Sequence, residues 1–116
     1  MPELSGNARC KDLTPHGLLD AMAAERVVLI DVREPDEFAA ERIAGALPFP
    51  LSSLDPGKLP VAAGRCIVLQ CGSGVRSAKA VALCQQAGLE VDQHLSGGLK
   101  AWKGAGLPTI TGPIRS

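Results

Sequence analysis

The sequence is poor in aromatic residues and has no excess of charge of either sign. Aromatic residues make up 3% of the 116 residues, namely Phe38, Phe49 and Trp102, which argues against a stacking platform for single-stranded nucleic acid. Lys and Arg together number 12, as do Asp and Glu, so the formal net charge is zero. Because there is no broad positive field, we expect neither nucleic acid nor an anionic membrane surface as a partner.

Long hydrophobic segments are also missing. The apolar run from Val27 to Ile30 is far shorter than the roughly 20 residues that a transmembrane helix needs. The first 13 residues carry acidic and basic side chains where a secretory signal peptide requires an apolar stretch. We therefore expect a cytoplasmic protein with no membrane partner.

Cysteine and histidine are too few and too scattered for a disulfide framework or a zinc site. The four cysteines include no C-x-x-C pair and lie at Cys10, Cys66, Cys71 and Cys84. In a reducing compartment we expect all of them to stay thiols, with Cys10 at the surface and Cys66 and Cys84 buried. His16 and His94 make no metal pattern with them, and we assign these two to a helix end and a strand surface, neither as a general base.

The composition is that of one soluble globular domain. Apolar residues make up 46% and charged residues 21%, which is ordinary for a chain that buries a core of its own. A chain of 116 residues leaves no room for a second independent core. We predict one domain over residues 1–116, with its core at about 14–108 and flexible tails on either side.

Strand and helix patterns alternate along this core. Apolar runs predict buried strands at 26–33 and 66–70, and a further strand is predicted at 91–95. The predicted helices lie at 17–25, 34–41, 75–87 and 99–103. The proline-rich stretch 46–60 predicts a short extended piece and a loop with one helical turn, and the tail after Gly104 is expected to fray. This order predicts an α/β fold with a mostly parallel central sheet and helices on both faces.

The turn after strand 66–70 is the strongest candidate site. Cys71 stands at the carboxyl end of the strand, and the turn Cys71-Gly72-Ser73-Gly74 allows the backbone to curl before a helix that starts at Val75. The amide groups of residues 72–76 are expected to converge there and, with the charge of Arg76, to favour an anion. Such an environment lowers the pKa of a thiol, which predicts a nucleophilic Cys71. The plainer alternatives are a small buried Cys71 and an Arg76 that is only a helix-surface charge.

Residues 72–77 also come close to a dinucleotide-binding fingerprint. They follow a strand, open a helix and precede an acidic residue, Asp92, at about the right distance. The third glycine of that fingerprint is missing, however, and too little chain follows to complete a nucleotide-binding sheet. Cys71 would have no role in it, so we favour the nucleophile.

Several short motifs follow one another along the chain. They are Asp31-Val32-Arg33 with Glu37-Phe38, then Ile43-Ala44-Gly45-Ala46, then Cys71-Gly72-Ser73-Gly74-Val75-Arg76-Ser77, and finally Leu95-Ser96-Gly97-Gly98 with Trp102. In their order and spacing the chain resembles the rhodanese-like family of sulfurtransferases, from Thr14 to Pro108. The resemblance implies a single rhodanese-like domain in which Cys71 accepts a sulfane sulfur from a donor such as thiosulfate, becomes a persulfide, and passes the sulfur to cyanide or a thiol.

The resemblance also implies roles for the neighbouring residues. The persulfide cradle consists of Gly72, Ser73, Gly74, Val75 and Arg76. A supporting structural role is implied for Asp31 and Arg33, which we expect to pair, and for Ser77. The pair Gly97-Gly98 is expected to let the backbone approach the active loop, with Trp102 in the packing. No metal or organic cofactor is required.

Loop length separates sulfur transfer from hydrolysis of an anion. Related folds with five residues between the cysteine and the arginine resemble phosphatases and arsenate reductases, whereas four residues separate Cys71 from Arg76. The shorter loop makes a smaller cradle, which suits one terminal sulfur better than a tetrahedral oxyanion. We therefore predict a thiosulfate sulfurtransferase. The alternatives are a rhodanese module that carries sulfur for a partner such as a sulfur-relay protein, without turnover, and a phosphatase-like hydrolase.

Overall fold

Four parallel strands form the central sheet of the computed structural model, which describes residues 13–112. In sheet order they are β3 (Leu47–Pro48), β1 (Val27–Asp31), β4 (Cys66–Gln70) and β5 (Gln93–His94). β1 runs beside β4 in a register that pairs Val27 with Cys66 and Asp31 with Gln70. Because the strands are parallel, their carboxyl ends and the side chains that follow them meet at one edge of the sheet.

Local sequence signals explain where the helices begin. The helices are α1 (Pro15–Ala23), α2 (Pro35–Ala40), α3 (Val75–Gln86) and α4 (Gly98–Gly104). At α1 the Thr14 hydroxyl accepts a hydrogen bond from the Gly17 amide at 3.0 Å, with a proline at the first position. At α2 a capping box joins Glu34 and Glu37. The segment between β3 and β4 contains two short 3-10 turns, Leu51–Ser53 and Pro56–Lys58.

The sheet is covered on both faces, as predicted. Leu18 of α1 and Trp102 of α4 belong to one buried cluster with Val68 of β4. On the opposite face Ala80 of α3 packs in a second cluster with Leu69, the next residue of the same strand. Successive strand residues point to opposite faces, so the unbroken apolar run of β4 serves both clusters. The predicted fold class, an α/β domain with a mainly parallel sheet, is confirmed.

A second, two-stranded sheet was not expected from the sequence. It pairs β2 (Glu41–Arg42) with β6 (Ile110–Thr111) in antiparallel fashion. The Arg42 guanidinium also donates to the Gly112 carbonyl oxygen at 2.9 Å. The prediction of a frayed tail after Gly104 is therefore wrong for residues 110–111. Most of the two predicted flexible tails, namely residues 1–12 and 113–116, lies outside the described residues.

The cysteines differ from expectation at one position. Cys71 and Cys84 are free, whereas Cys66 at the start of β4 is disulfide-bonded. The prediction that all four cysteines stay thiols is therefore wrong for Cys66, because pairing between distant cysteines leaves no trace in their spacing. Cys10 lies outside the described residues. In the described part of the chain, no helix combines the length and the apolar character needed to cross a membrane.

Candidate functional site

The site lies where β4 ends and α3 begins. Cys71 follows the last residue of β4, and the chain turns through Gly74, whose φ of 103° lies in the left-handed region that glycine tolerates. This turn brings the first turn of α3 back over the cysteine. The structure thus places Cys71 where the sequence predicts it, at the carboxyl edge of the parallel sheet.

Several polar groups surround the sulfur of Cys71. The Gly74 amide donates to Sγ at 3.0 Å and the Ser77 amide at 3.4 Å, and the Ser77 hydroxyl oxygen lies 3.6 Å from it. Burial raises the pKa of the Cys71 thiol, but hydrogen bonds from the Ser77 hydroxyl and from the amides of Ser77, Gly74 and Ser73 outweigh it, and the pKa is lowered overall. The sulfur is therefore held in a site that favours its anionic form.

The same cysteine is fully covered, with a relative exposure of 0%. The loop around the cysteine is partly exposed to solvent, because Val75 is 63% exposed and Gly72 and Gly74 carry no side chains. Burial here accompanies a set of converging donors, which distinguishes Cys71 from Cys84, a buried thiol of α3 whose pKa is raised by burial.

Arg76 is held by a partner from α2. Its two terminal nitrogens donate to the two carboxylate oxygens of Glu37, at 2.6 and 3.0 Å. The hydrogen bond from Arg76 lowers the pKa of Glu37 from its ordinary value of 4.5 to about 2, although partial burial acts in the opposite direction. Glu37 belongs to a sequence motif that suggests no role for it, so its contact with Arg76 is a finding of the structure. Arg76 thus acts as a clamp between α2 and the loop.

Asp31 and Arg33 form a buried pair at the end of β1. The Arg33 guanidinium donates to both Asp31 carboxylate oxygens, with distances from 2.9 to 3.1 Å, and the Arg33 amide donates to the same carboxylate. The other guanidinium contacts are with the carbonyl oxygens of Glu37 and Glu41 at the two ends of α2. This pair fixes α2, and with it Glu37, against the carboxyl edge of the sheet.

The start of α4 packs directly on the loop. The amide of Leu99 donates to the Cys71 carbonyl oxygen at 2.8 Å, and that of Lys100 donates to the Gly72 carbonyl oxygen at 3.0 Å. A Cβ at Gly98 would lie 2.2 Å from the Cys71 carbonyl oxygen. The expected close approach at the Gly97-Gly98 pair is thus present, and only glycine fits at Gly98.

His94 makes a contact with the active loop that the sequence does not predict. It ends β5, is partly buried, and places its Nδ1 2.8 Å from the Ser77 hydroxyl oxygen. Burial lowers the pKa of its imidazole. His94 thus lies on a strand, as expected, but its side chain is partly buried and contacts Ser77. His16 lies at the amino end of α1, as expected.

Known proteins resemble this chain along most of its length. The family model described as a rhodanese-like domain matches residues 14–105. The chain belongs to the rhodanese-like domain family. An uncharacterized protein of Synechocystis is 47% identical over 98 residues, which cover 84% of this chain and 55% of that protein. A protein of Allochromatium vinosum named sulfurtransferase is 36% identical over 86 residues, covering 74% of this chain and 80% of that one.

A solved structure shares the fold of this rhodanese-like domain. The crystal structure of a rhodanese-related protein from Thermoplasma volcanium has a TM-score of 0.72 and 28% identity, and the match covers 84% of this chain and 95% of that one. The rhodanese-like domain spans about half the length of the Synechocystis relative. Within residues 13–112, the domain brings together no group of three or more His, Cys, Asp or Glu side chains that could hold a metal ion.

Proposed function

We propose that this rhodanese-like domain is a sulfurtransferase that moves a sulfane sulfur from thiosulfate or a similar donor to cyanide or a thiol. The observation that carries the proposal is the free Cys71, whose Sγ accepts hydrogen bonds from the amides of Gly74 and Ser77. Those bonds lower the pKa of the thiol and so raise the fraction of thiolate, the nucleophilic form. The Allochromatium relative is named a sulfurtransferase, which supports the same reaction class.

The first half-reaction transfers one sulfur to the protein. The thiolate of Cys71 attacks the outer sulfur of thiosulfate, a new S–S bond forms, and the bond between the outer and central sulfurs breaks. Its electron pair leaves with sulfite, so Cys71 becomes a persulfide anion. The amides of Ser73, Gly74 and Ser77, which lower the pKa of the thiol, would favour negative charge at the terminal sulfur in the same way.

The second half-reaction returns the enzyme to its starting state. Cyanide or a thiolate attacks the terminal sulfur of the persulfide, and the S–S bond to Cys71 breaks with its electron pair on Cys71. The products are thiocyanate or a new persulfide, and the thiolate of Cys71 is regenerated. No electron carrier is needed, because sulfur moves as a neutral atom between nucleophiles.

Mass spectrometry of the intact protein tests the persulfide. After treatment with thiosulfate and removal of excess reagent, the wild type should gain the mass of one sulfur, and Cys71→Ser should gain none. Cys84→Ser is the matched control, since Cys84 is also free and buried but lies outside the loop, and it should load as the wild type does. Loading of Cys71→Ser would refute the assignment of Cys71.

Turnover then separates the enzyme from its alternatives. Steady release of thiocyanate from thiosulfate and cyanide identifies an enzyme with free turnover. Loading without release favours a module that carries sulfur for a partner such as a sulfur-relay protein. Release of phosphate from an aryl phosphate, lost in Cys71→Ser, would instead identify a hydrolase.

A further inference from the structure

A chain of polar atoms leads from Cys71 to His94 through one hydroxyl group. The Ser77 oxygen lies 3.6 Å from the Cys71 sulfur and 2.8 Å from His94 Nδ1, and it also lies 3.2 Å from the Gly74 carbonyl oxygen. Ser77 is fully buried. Its hydroxyl proton is therefore shared among groups of the protein, and its direction depends on their protonation.

A serine hydroxyl donates one hydrogen bond and accepts up to two. When His94 Nδ1 carries no proton, the hydroxyl donates to Nδ1, and its oxygen accepts from the Cys71 thiol. When Nδ1 carries a proton, Nδ1 donates to the hydroxyl oxygen, and the hydroxyl is released to donate to a Cys71 thiolate. The two arrangements use the same heavy-atom positions and differ only in where two protons lie.

We propose that His94 is a positioning residue that takes up the Cys71 proton through Ser77 and thereby turns the Ser77 hydroxyl towards the thiolate. The proton of Sγ passes to the Ser77 oxygen while the hydroxyl proton passes to Nδ1. The S–H and O–H bonds break, a new O–H and an N–H bond form, and no electrons leave the group. The product is a thiolate hydrogen-bonded to Ser77, opposite an imidazolium at His94.

The surroundings suit His94 to this role. Its ring lies against the loop, since a Cβ at Gly74 would stand 3.9 Å from His94 Cε1. Burial lowers the pKa of the imidazole and so opposes its protonation, whereas a thiolate at Cys71 would favour the imidazolium by charge attraction. The charged groups around the thiol are Arg76, which interacts with Cys71, and the carboxylates of Glu37 and Asp31, which both interact with Arg76.

The proposal rests on the proposed function only in taking Cys71 as the reactive thiol, and its test needs no sulfur donor. The ultraviolet absorbance of the thiolate, followed against pH and corrected with Cys71→Ser, gives the midpoint of Cys71 ionisation. The pH profile of alkylation of Cys71 by iodoacetamide, located by mass spectrometry, gives an independent value. A failure of persulfide loading leaves both measurements valid, so the two proposals fail separately.

Three variants separate a proton acceptor from a structural contact. Ser77→Ala removes the relay, and we expect the ionisation midpoint of Cys71 to rise by about one pH unit or more. His94→Asn places an amide near the position of Nδ1, where it keeps a hydrogen bond but cannot titrate, and the midpoint should rise as well. His16→Asn is the matched control, because His16 is exposed on α1, and it should leave the midpoint unchanged.

The outcomes decide the role of His94. A midpoint in folded His94→Asn equal to that of the wild type would overturn the proposal, since a structural hydrogen bond would then suffice. A rise of the Cys71 midpoint in Ser77→Ala but not in His94→Asn would overturn the proposal as well. Should His94→Asn fail to fold, nitrogen NMR of the His94 ring decides: its titration must differ between the wild type and Cys71→Ser, because coupled groups shift each other equally. Identical titrations would overturn the proposal.

Discussion

Replacing Gly98 by alanine probes the contact between α4 and the active loop. Gly98 has a φ of 56°, and an added Cβ would lie 2.2 Å from the Cys71 carbonyl oxygen and 2.8 Å from the Gly72 carbonyl carbon. These atoms belong to the backbone and cannot rotate away. We therefore expect the first turn of α4 to move off the loop in Gly98→Ala.

The expected loss of stability follows from two costs. A left-handed backbone costs an alanine about 1 to 2 kcal/mol. A shift of about 1 Å, needed to restore a C···O contact of about 3.3 Å, also stretches the hydrogen bonds from the amides of Leu99 and Lys100 to the loop. Each of these is worth about 1 kcal/mol. Together they predict a decrease of about 3 to 4 kcal/mol in the free energy of unfolding.

Two other glycines provide matched controls. Gly88 has a φ of 85° with no atom within 4 Å of an added Cβ, so Gly88→Ala should show only the backbone cost, about 1 to 2 kcal/mol. Gly104 ends α4 with equally open surroundings and no positive φ, so Gly104→Ala should be neutral or stabilising by up to about 1 kcal/mol.

Urea unfolding followed by circular dichroism measures all three variants. Gly104→Ala should be the most stable of the three, followed by Gly88→Ala, and Gly98→Ala should be the least stable. Because α4 holds the Cys71 carbonyl, Gly98→Ala should also raise the midpoint of thiolate formation, whereas the two controls should not. A Gly98→Ala protein no less stable than Gly88→Ala would refute the close packing of α4 on the loop.

Two ion pairs give further predictions. The Glu37 pKa is lowered from 4.5 to about 2, so its pair with Arg76 contributes stability above about pH 4.5 that disappears as the pH falls to about 2. Because the Glu37 side chain is 37% exposed, solvent screens the pair, and Glu37→Gln should cost about 1 kcal/mol at neutral pH and nothing near pH 2. Urea midpoints across this range measure it, and a constant difference would contradict it. Asp31→Asn leaves the buried Arg33 guanidinium poorly compensated and should cost about 3 to 5 kcal/mol in the same assay. Glu25→Gln, an exposed carboxylate, is its control, and an equal effect of the two would contradict the buried pair.

Sequence reasoning is reliable where an element carries its own signal. The apolar run 66–70 predicts β4 at the positions the structure shows, and the predicted helix 75–87 differs from α3 by one residue. β2 and β6 have two residues each, and their pairing joins Arg42 to Ile110. No local pattern marks so short a strand. Whether such short strands form depends on contacts between distant segments. A single sequence does not reveal those contacts.

The candidate site shows the same difference between local contacts, which the sequence predicts, and distant contacts, which it does not. Glycine placement and the helix start predict that amides converge near Cys71, but not which ones: Gly74 lies in the predicted range 72–76, whereas Ser77 lies just beyond it. The partners of the loop come from elsewhere, since Glu37 is 39 residues from Arg76 and His94 is 17 residues from Ser77. Nothing in the local sequence around Glu37 or His94 indicates which distant residue its side chain contacts.

The pairing of Arg76 bears on the choice between a sulfur and a phosphoryl group. An arginine binds a tetrahedral oxyanion best when its two terminal nitrogens are free to donate in parallel. Here both donate to Glu37, and the pair raises the pKa of Arg76 and lowers that of Glu37, so each partner stabilises the charge of the other. The groups in contact with the Cys71 sulfur are then two neutral amides that donate to it and the Ser77 hydroxyl. Such donors suit one added sulfur with a single negative charge, whereas a doubly charged phosphoryl group would first have to displace Glu37 from Arg76.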